Sequence, residues 1–382
     1  MIIGRILQSK AVELAQKYPF VVITGPRQSG KSTLARLAFP EYNVVSLEDL
    51  DNREFAREDP RGFISTYPDK TIIDEVQRVP SLLSYLQTHC DTVGKEGMYI
   101  LTGSQNMELM QSVDQSLAGR VGLIHLLPFS KKEMTNGNVL SSGIDSMILK
   151  GCYPRIYDKD IPATEYYQNY VRTYIERDVR NIKNITDLSR FVRFLKLCAA
   201  RVGQLLNMSA IANDCGISVP TVEQWLSVLE TSFIIYRLKP DWQNYSKRLV
   251  KTPKLYFYDT GIVCSLLDIR TEDQLHTHYL RGSLFENMVV TDYMKESFNR
   301  GELDPDITFW RDSTGHEVDM IIRNPDGVHA YEIKSSETFN ESFLDGLRFW
   351  GKLSGADEHH KSVIYAGRRP ENRSDALILP FI

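Results

Sequence analysis

The 382-residue sequence contains no uninterrupted apolar run approaching the roughly 20 residues that a membrane-spanning helix requires, so no membrane partner is predicted. It is also poor in cysteine. Cys90, Cys152, Cys198, Cys215 and Cys264 are odd in number, widely scattered and form no C-x-x-C pair, which excludes a disulfide framework or a structural zinc site as the organising feature and predicts buried thiols. There is no excess of positive charge. The 45 Lys and Arg residues against 49 Asp and Glu leave a formal net charge of -4, so attraction to nucleic acid has to come from local basic patches. Internal repeats and low-complexity tracts are likewise missing. The opening stretch MIIGRILQSK lacks a long apolar segment followed by a small-residue cleavage site, so it predicts no signal peptide and a cytoplasmic location.

What is present is a globular composition, 42% hydrophobic and 25% charged, on a chain long enough for two to four units with cores of their own. In "FVVITGPRQSGKSTLARLAF" the apolar run Phe20 to Ile23 predicts a buried strand, and Gly25-x-x-x-x-Gly30-Lys31-Ser32 follows it directly. This is a phosphate-binding loop between a strand and a helix. Its glycines let the backbone curl until successive N–H groups and the helix N-terminus face phosphate oxygens. Pro26, Arg27, Gln28, Ser29 and Thr33 complete the cradle, Lys31 reaches the terminal phosphates, and Ser32 is a magnesium ligand. About forty residues later "KTIIDEVQRVP" supplies a second apolar strand ending in Asp74 and Glu75. The first carboxylate is placed to hold magnesium through water and the second to orient or deprotonate an attacking water. A third strand, "MYILTGSQN", brings Ser104, Gln105 or Asn106 to the same edge as γ-phosphate sensors, with Asn106 and Ser104 favoured.

Together "ITGPRQSGKST", "VSLEDLDNREFAREDP", "IIDEVQRVP", "LTGSQN" and "SLAGR" resemble the AAA-family ATPases that carry a C-terminal domain of the DUF4143 type, and the resemblance covers nearly the whole chain. It implies an α/β fold: a parallel-sheet AAA-type P-loop core over 1–130, a helical lid or connector over 131–195, a winged helix-turn-helix over 196–267, and a restriction-endonuclease-like domain over 268–382. It also implies ATP and magnesium as cofactors and hydrolysis as the activity. In such proteins the Arg after the sensor strand is the candidate arginine finger, here Arg120. A finger is usually supplied by a neighbouring subunit, which predicts a homo-oligomer. A surface arginine at a helix end is the other reading of the same residue.

After "LLPFS" the pattern turns helical, with Tyr166, Tyr167, Tyr170 and Tyr174 at helical spacing as a core-facing stripe, and with Arg155 a second candidate sensor in the family's G-x-P segment. "NMSAIANDCGISVPTVEQWLSVLETSFIIYRL" predicts a helix-turn-helix, with Gly216 supplying a left-handed turn and Ser218 a cap. The flanking strands enclose "KPDWQNYSKRLVKTPK", a basic wing in which Lys247, Arg248, Lys251 and Lys254 are the candidate phosphate contacts and Trp242 or Tyr245 the candidate base-stacking side chains. The exposed positions of the second helix, Ser218, Thr221, Glu223 and Gln224, include no Arg or Lys, so DNA binding and protein docking both stay open for this module.

The last unit contains "HEVDMIIRNPDGVHAYEIKSS", in which charged residues interrupt two apolar runs. Glu286, Asp319, Glu332 and Lys334 follow the order of the PD-(D/E)xK nuclease fold, which this unit resembles. Strand alternation puts Glu332 and Lys334 on one face with Ile333 pointing to the core, and Asp319 reaches that face from the adjacent strand. The resemblance implies a second magnesium held by Glu286, Asp319 and Glu332, with Lys334 catalytic. A fold retained without cleavage is the alternative. His89, His316 and His329 have no partner at metal-ligand spacing. Two functions follow: a nucleic-acid-associated ATPase with a possible nuclease site, or a nucleotide-regulated oligomer whose C-terminal domains bind proteins.

Overall fold

The structure, a computed structural model, describes residues 3–104, 113, 117–175, 187–242 and 249–382, with the side chains of Ser104, Tyr174, Ile175 and Glu358 outside that description. Near the N-terminus, β1 (Phe20–Gly25), β2 (Asn43–Ser46), β3 (Thr71–Asp74), β4 (Tyr99–Ser104) and β5 (Val121–His125) form a parallel sheet in the order β2-β3-β4-β1-β5. β1 lies inside the sheet, between β4 and β5, and is buried at every position, because helices cover both faces of the sheet. Its register pairs Gly25 with Ser104, and β3 pairs Ile73 with Leu101. The carboxyl ends of β1, β3 and β4 therefore meet at one edge, where an open α/β sheet takes its ligand.

Beyond residue 126 the helices Ile144–Lys150, Pro154–Lys159 and Ala163–Tyr170 lead to Leu188–Ala199 and then to the pair Met208–Cys215 and Val219–Thr231. Gly216 joins that pair at φ 67, a left-handed conformation that glycine adopts without a Cβ penalty, and the Ser218 hydroxyl accepts from the Thr221 N–H at 3.2 Å to cap the second helix. Two antiparallel strands follow, β6 (Ile235–Leu238) and β7 (Lys254–Phe257). Tyr166, Tyr167 and Tyr170 are buried against Tyr153.

The C-terminal sheet has the order β12-β13-β11-β10-β9-β8, from β8 (Ile307–Arg311), β9 (Glu317–Asn324), β10 (Gly327–Lys334), β11 (Lys361–Tyr365), β12 (Glu371–Asn372) and β13 (Leu377–Pro380). β8, β9 and β10 run antiparallel, while β10, β11 and β13 run parallel. One face packs on the long helix Arg281–Asn299, the other on Asp345–Ser354 through Trp310, Leu347 and Trp350. The long helix shares one continuous apolar core with the helix-turn-helix and the connector helices. It is buried on most sides, which is why its sequence shows no polar stripe. Cys90, Cys198, Cys215 and Cys264 are buried free thiols and Cys152 is partly covered. Among the described residues no helix is long and apolar enough to cross a membrane.

Candidate nucleotide site and C-terminal carboxylate cluster

At the carboxyl edge of the first sheet, Gly25 has φ +150 and a Cβ there would lie 2.1 Å from the Leu126 carbonyl oxygen, so no other residue fits. Gln28 at φ 61 and Gly30 at φ 96 complete the loop before the helix Lys31–Ala38 begins. The Lys31 ammonium folds back over this loop and donates to the carbonyls of Gly25 at 3.1 Å and Pro26 at 2.8 Å. Burial lowers its pKa to about 8, against the pull of the Glu75 and Asp74 carboxylates.

Ser32, on the first turn of that helix, donates its hydroxyl to Asp74 Oδ1 at 2.7 Å, and Thr102 from β4 donates to the same oxygen. The carboxylate is thereby fixed behind Ser32. Glu75 leaves the strand in a left-handed conformation, φ 59, and its carboxylate accepts from Gln77 Nε2 at 2.5 Å. The Ser29 hydroxyl is fully buried and has no partner among the described residues. A cleft of about 510 Å³ opens beside the loop, lined by Gln28, Gly30, Thr33, Phe129 and Arg155. That volume is in the range of small-ligand sites.

Arg120 does not approach this cleft in its own chain. Its carbonyl accepts from Phe20 N at 3.2 Å, at the opposite end of β1 from Gly25, so the rise along the strand separates them by about 17 Å. Its guanidinium is paired bidentately with Asp91, at 2.6 and 3.1 Å. Gln105 and Asn106 lie outside the described residues, as do Tyr245, Lys247 and Arg248.

In the C-terminal unit, β9 and β10 bring Asp319 and Glu332 side by side, one step past the Tyr331–Met320 pair, and Glu286 faces them from the long helix. Asp319 Oδ2 accepts from the Ile333 N–H at 2.8 Å, and Lys334 Nζ donates to Glu332 Oε1 at 2.5 Å. Burial, with the Asp319 charge beside it, raises the pKa of Glu332 to about 8. The basic-wing assignment of Lys254 is corrected here. Lys254 is 3% exposed, and its ammonium donates to Glu286 Oε1 at 2.8 Å, pairs with Glu317 and lies 3.8 Å from Asp319 Oδ1. Its position at the start of β7, bridged to Leu205, aims the side chain inward, where three carboxylates make burial of a cation tolerable. The expected magnesium ligands Glu286, Asp319 and Glu332 are brought together, and Glu286 Oε1, Asp319 Oδ2 and Glu332 Oε1 accept from ammonium, hydroxyl or amide donors of the chain. Among the described residues no group of His, Cys, Asp and Glu side chains forms a ready metal site. His316 stacks on Phe349, His329 pairs with Asp326, and His89 bonds the Pro68 carbonyl.

A family model described as an AAA domain matches residues 17–135, and one described as Domain of unknown function (DUF4143) matches 281–382. The chain carries an AAA domain and a DUF4143 domain. Between them a second domain of unknown function, DUF8612, matches residues 141–273. The chain is similar to the uncharacterized protein Rv2008c of Mycobacterium tuberculosis, 28% identical over 366 residues that span 94% of this chain and 79% of that protein. Among solved structures it is similar to the Walker-type ATPase PABY2304 of Pyrococcus abyssi, with 16% identity, a TM-score of 0.47, and coverage of 69% of this chain and 96% of that one. It is also similar to AMPPCP-bound DnaA from Aquifex aeolicus, with 17% identity, a TM-score of 0.31, and coverage of 60% and 89%.

Sequence reasoning missed the residues that tie the AAA domain's loop to its surroundings. Arg5 donates to the Ser29 carbonyl at 2.7 Å and to the Leu127 carbonyl at 2.6 Å, and its Nε donates to Glu133 at 2.9 Å. No motif marks Arg5, since its partners lie more than twenty residues away. Glu133 did carry a signal, because "SKKE" is a Ser-x-x-Glu capping box and the box is formed. In the DUF4143 domain, Glu317 was legible from strand alternation, being two residues before Asp319 and so on the same face.

Proposed function

We propose that the chain binds ATP with magnesium and hydrolyses it at the edge of the AAA sheet. The observation that carries this reading is the single carboxylate oxygen of Asp74 held by both Ser32 and Thr102, directly beyond a loop in which Lys31 rests on backbone carbonyls. Magnesium bound by the Ser32 hydroxyl and, through water, by Asp74 would neutralise charge on the β- and γ-phosphates. Lys31 leaves the carbonyls for the terminal phosphates, and the loop amides with the following helix N-terminus hold the rest of the chain of phosphates. Glu75 orients the attacking water and accepts its proton. Arg155, on the cleft wall, approaches the nucleotide as a sensor, and Asn106 or Ser104 senses the γ-phosphate. Arg120 acts on the site of the next subunit, which makes the working form a homo-oligomer.

The test is phosphate release by the full chain with ATP and magnesium, beside binding of a non-hydrolysable ATP analogue. Glu75→Gln keeps analogue affinity within a few-fold while turnover falls by about 100-fold. Wild-type protein that neither binds the analogue nor releases phosphate would overturn the reading.

A second reading, association with nucleic acid, is favoured by one observation: Trp242 is 66% exposed, at the edge of the segment that also carries exposed Lys251. A solvent-facing indole suits base stacking, and an exposed lysine suits phosphate contact. Trp242→Ala with Lys251→Ala weakens binding of single-stranded DNA by about ten-fold and flattens its salt dependence. Binding that is indifferent to both salt and the substitutions would instead leave protein docking as the role of this unit.

A further inference from the structure

Several of the oxygens a divalent cation would use in the DUF4143 domain are engaged by the chain's own donors. Glu286 Oε1 accepts from Lys254 Nζ at 2.8 Å and from the Tyr256 hydroxyl at 2.5 Å. Glu317 spans Lys254 and Arg311, the latter at 2.8 Å. Asp319 takes the Ile333 amide on one oxygen and faces Lys254 with the other, while Lys334 Nζ holds Glu332 Oε1 and lies 3.8 Å from Asp319 Oδ2. The Glu332 Oε2 atom alone is buried and without a partner among the described residues of this group. A magnesium or manganese ion needs several oxygens at about 2.0–2.2 Å, and between Glu286 and Asp319 it would meet a positive charge already in place.

Lys254 is held there firmly. Its side chain is 3% exposed, and although burial opposes its charge, the carboxylates of Glu286, Asp319 and Glu317 keep its pKa above the ordinary lysine value. It comes from β7, whereas the carboxylates come from the long helix, β9 and β10. The lysine therefore also joins the helix-turn-helix unit to the DUF4143 sheet. Removing it leaves several buried carboxylates without their cation, the situation in which a hard divalent ion is favoured.

We infer that Lys254 is the resident cation of the Glu286–Glu317–Asp319 cluster, with Lys334 holding the adjoining Glu332, so that in this chain the cluster is an ion-paired clamp between two units, closed to divalent metal, instead of a nuclease metal centre. The inference does not depend on the ATPase reading. The probe is Mn²⁺, titrated without nucleotide and followed by electron paramagnetic resonance of the free ion, in full-length protein carrying Asp74→Asn to remove the AAA-domain ligand. With Lys254 present, the titration superimposes on that of Asp319→Ala. Lys254→Met gains one bound Mn²⁺ per chain, and adding Asp319→Ala abolishes the gain. Thermal melting identifies which variants are folded. A bound Mn²⁺ in the Lys254-containing protein that Asp319→Ala removes would overturn the inference, and this comparison holds even where Lys254→Met fails to fold. A folded Lys254→Met protein with no added Mn²⁺ would overturn it equally.

Discussion

Lys31→Ala lowers ATP turnover by about 1000-fold, the largest catalytic loss expected from a single side chain in this protein. The ammonium is buried at the carboxyl end of β1, and its acceptors in the closed loop are the carbonyls of Gly25 and Pro26. The neighbouring Arg5 cannot replace it, because its guanidinium is spent on the Ser29 and Leu127 carbonyls and on Glu133. Steady-state phosphate release reads the effect, and unchanged turnover would remove the loop from the mechanism. The same variant reports on Arg120. Since Arg120 is about 17 Å from its own loop by the length of β1, a catalytic role requires a neighbour's site. Mixed with Arg120→Ala subunits, Lys31→Ala subunits supply intact arginines to intact loops and turnover partly returns. Mixtures no more active than their separate components would leave Arg120 as the partner of Asp91 alone.

The nucleotide site was legible in the sequence because its determinants are local. Phe20 to Ser32 contain a strand, a loop that only glycine can begin, and a helix start, and Asp74 and Glu75 close a strand of their own, so periodicity and spacing suffice. The C-terminal sheet was legible in the same way, through the alternation of "EVDMIIR" and "AYEIK" about a turn. What could not be read was the partner of each charge. Lys254 carries the same local signature as Lys251, a lysine in a basic stretch before a strand, yet Lys251 is exposed and Lys254 lies among the carboxylates of Glu286, Glu317 and Asp319. A net count of basic residues does not distinguish them, because burial is decided by which sheet the strand faces. The shared core has the same origin: the long helix Arg281–Asn299 packs on residues from Ile148 to Phe381, so divisions drawn from changes of pattern do not coincide with divisions of packing.

Glu133→Ala destabilises the folded protein by about 3–5 kcal/mol, as removal of one partner from a buried ion pair does. Glu133 is fully buried and accepts from Arg5 Nε at 2.9 Å, Ile6 N at 2.9 Å and Ser130 N at 3.0 Å, so the alanine variant strands a guanidinium whose side chain is only 5% exposed, together with two amides. The damage extends in two directions. Arg5 also holds the Ser29 carbonyl, so the phosphate loop loses a support and affinity for the ATP analogue falls with stability. Ser130 accepts from Asn299 Nδ2 at 3.2 Å, and the neighbouring Lys131 amide donates to Asp292 at 2.7 Å, so the contact with the long helix of the DUF4143 domain loosens as well. Urea unfolding measures the first effect, and the paired variant Arg5→Met with Glu133→Leu separates its causes. If the stranded charge dominates, the pair is more stable than Glu133→Ala alone; if the lost amide acceptors dominate, it is no better. A Glu133→Ala midpoint equal to wild type would show that Arg5 finds another anion, and the account of Glu133 as the anchor between nucleotide loop and C-terminal domain would fail.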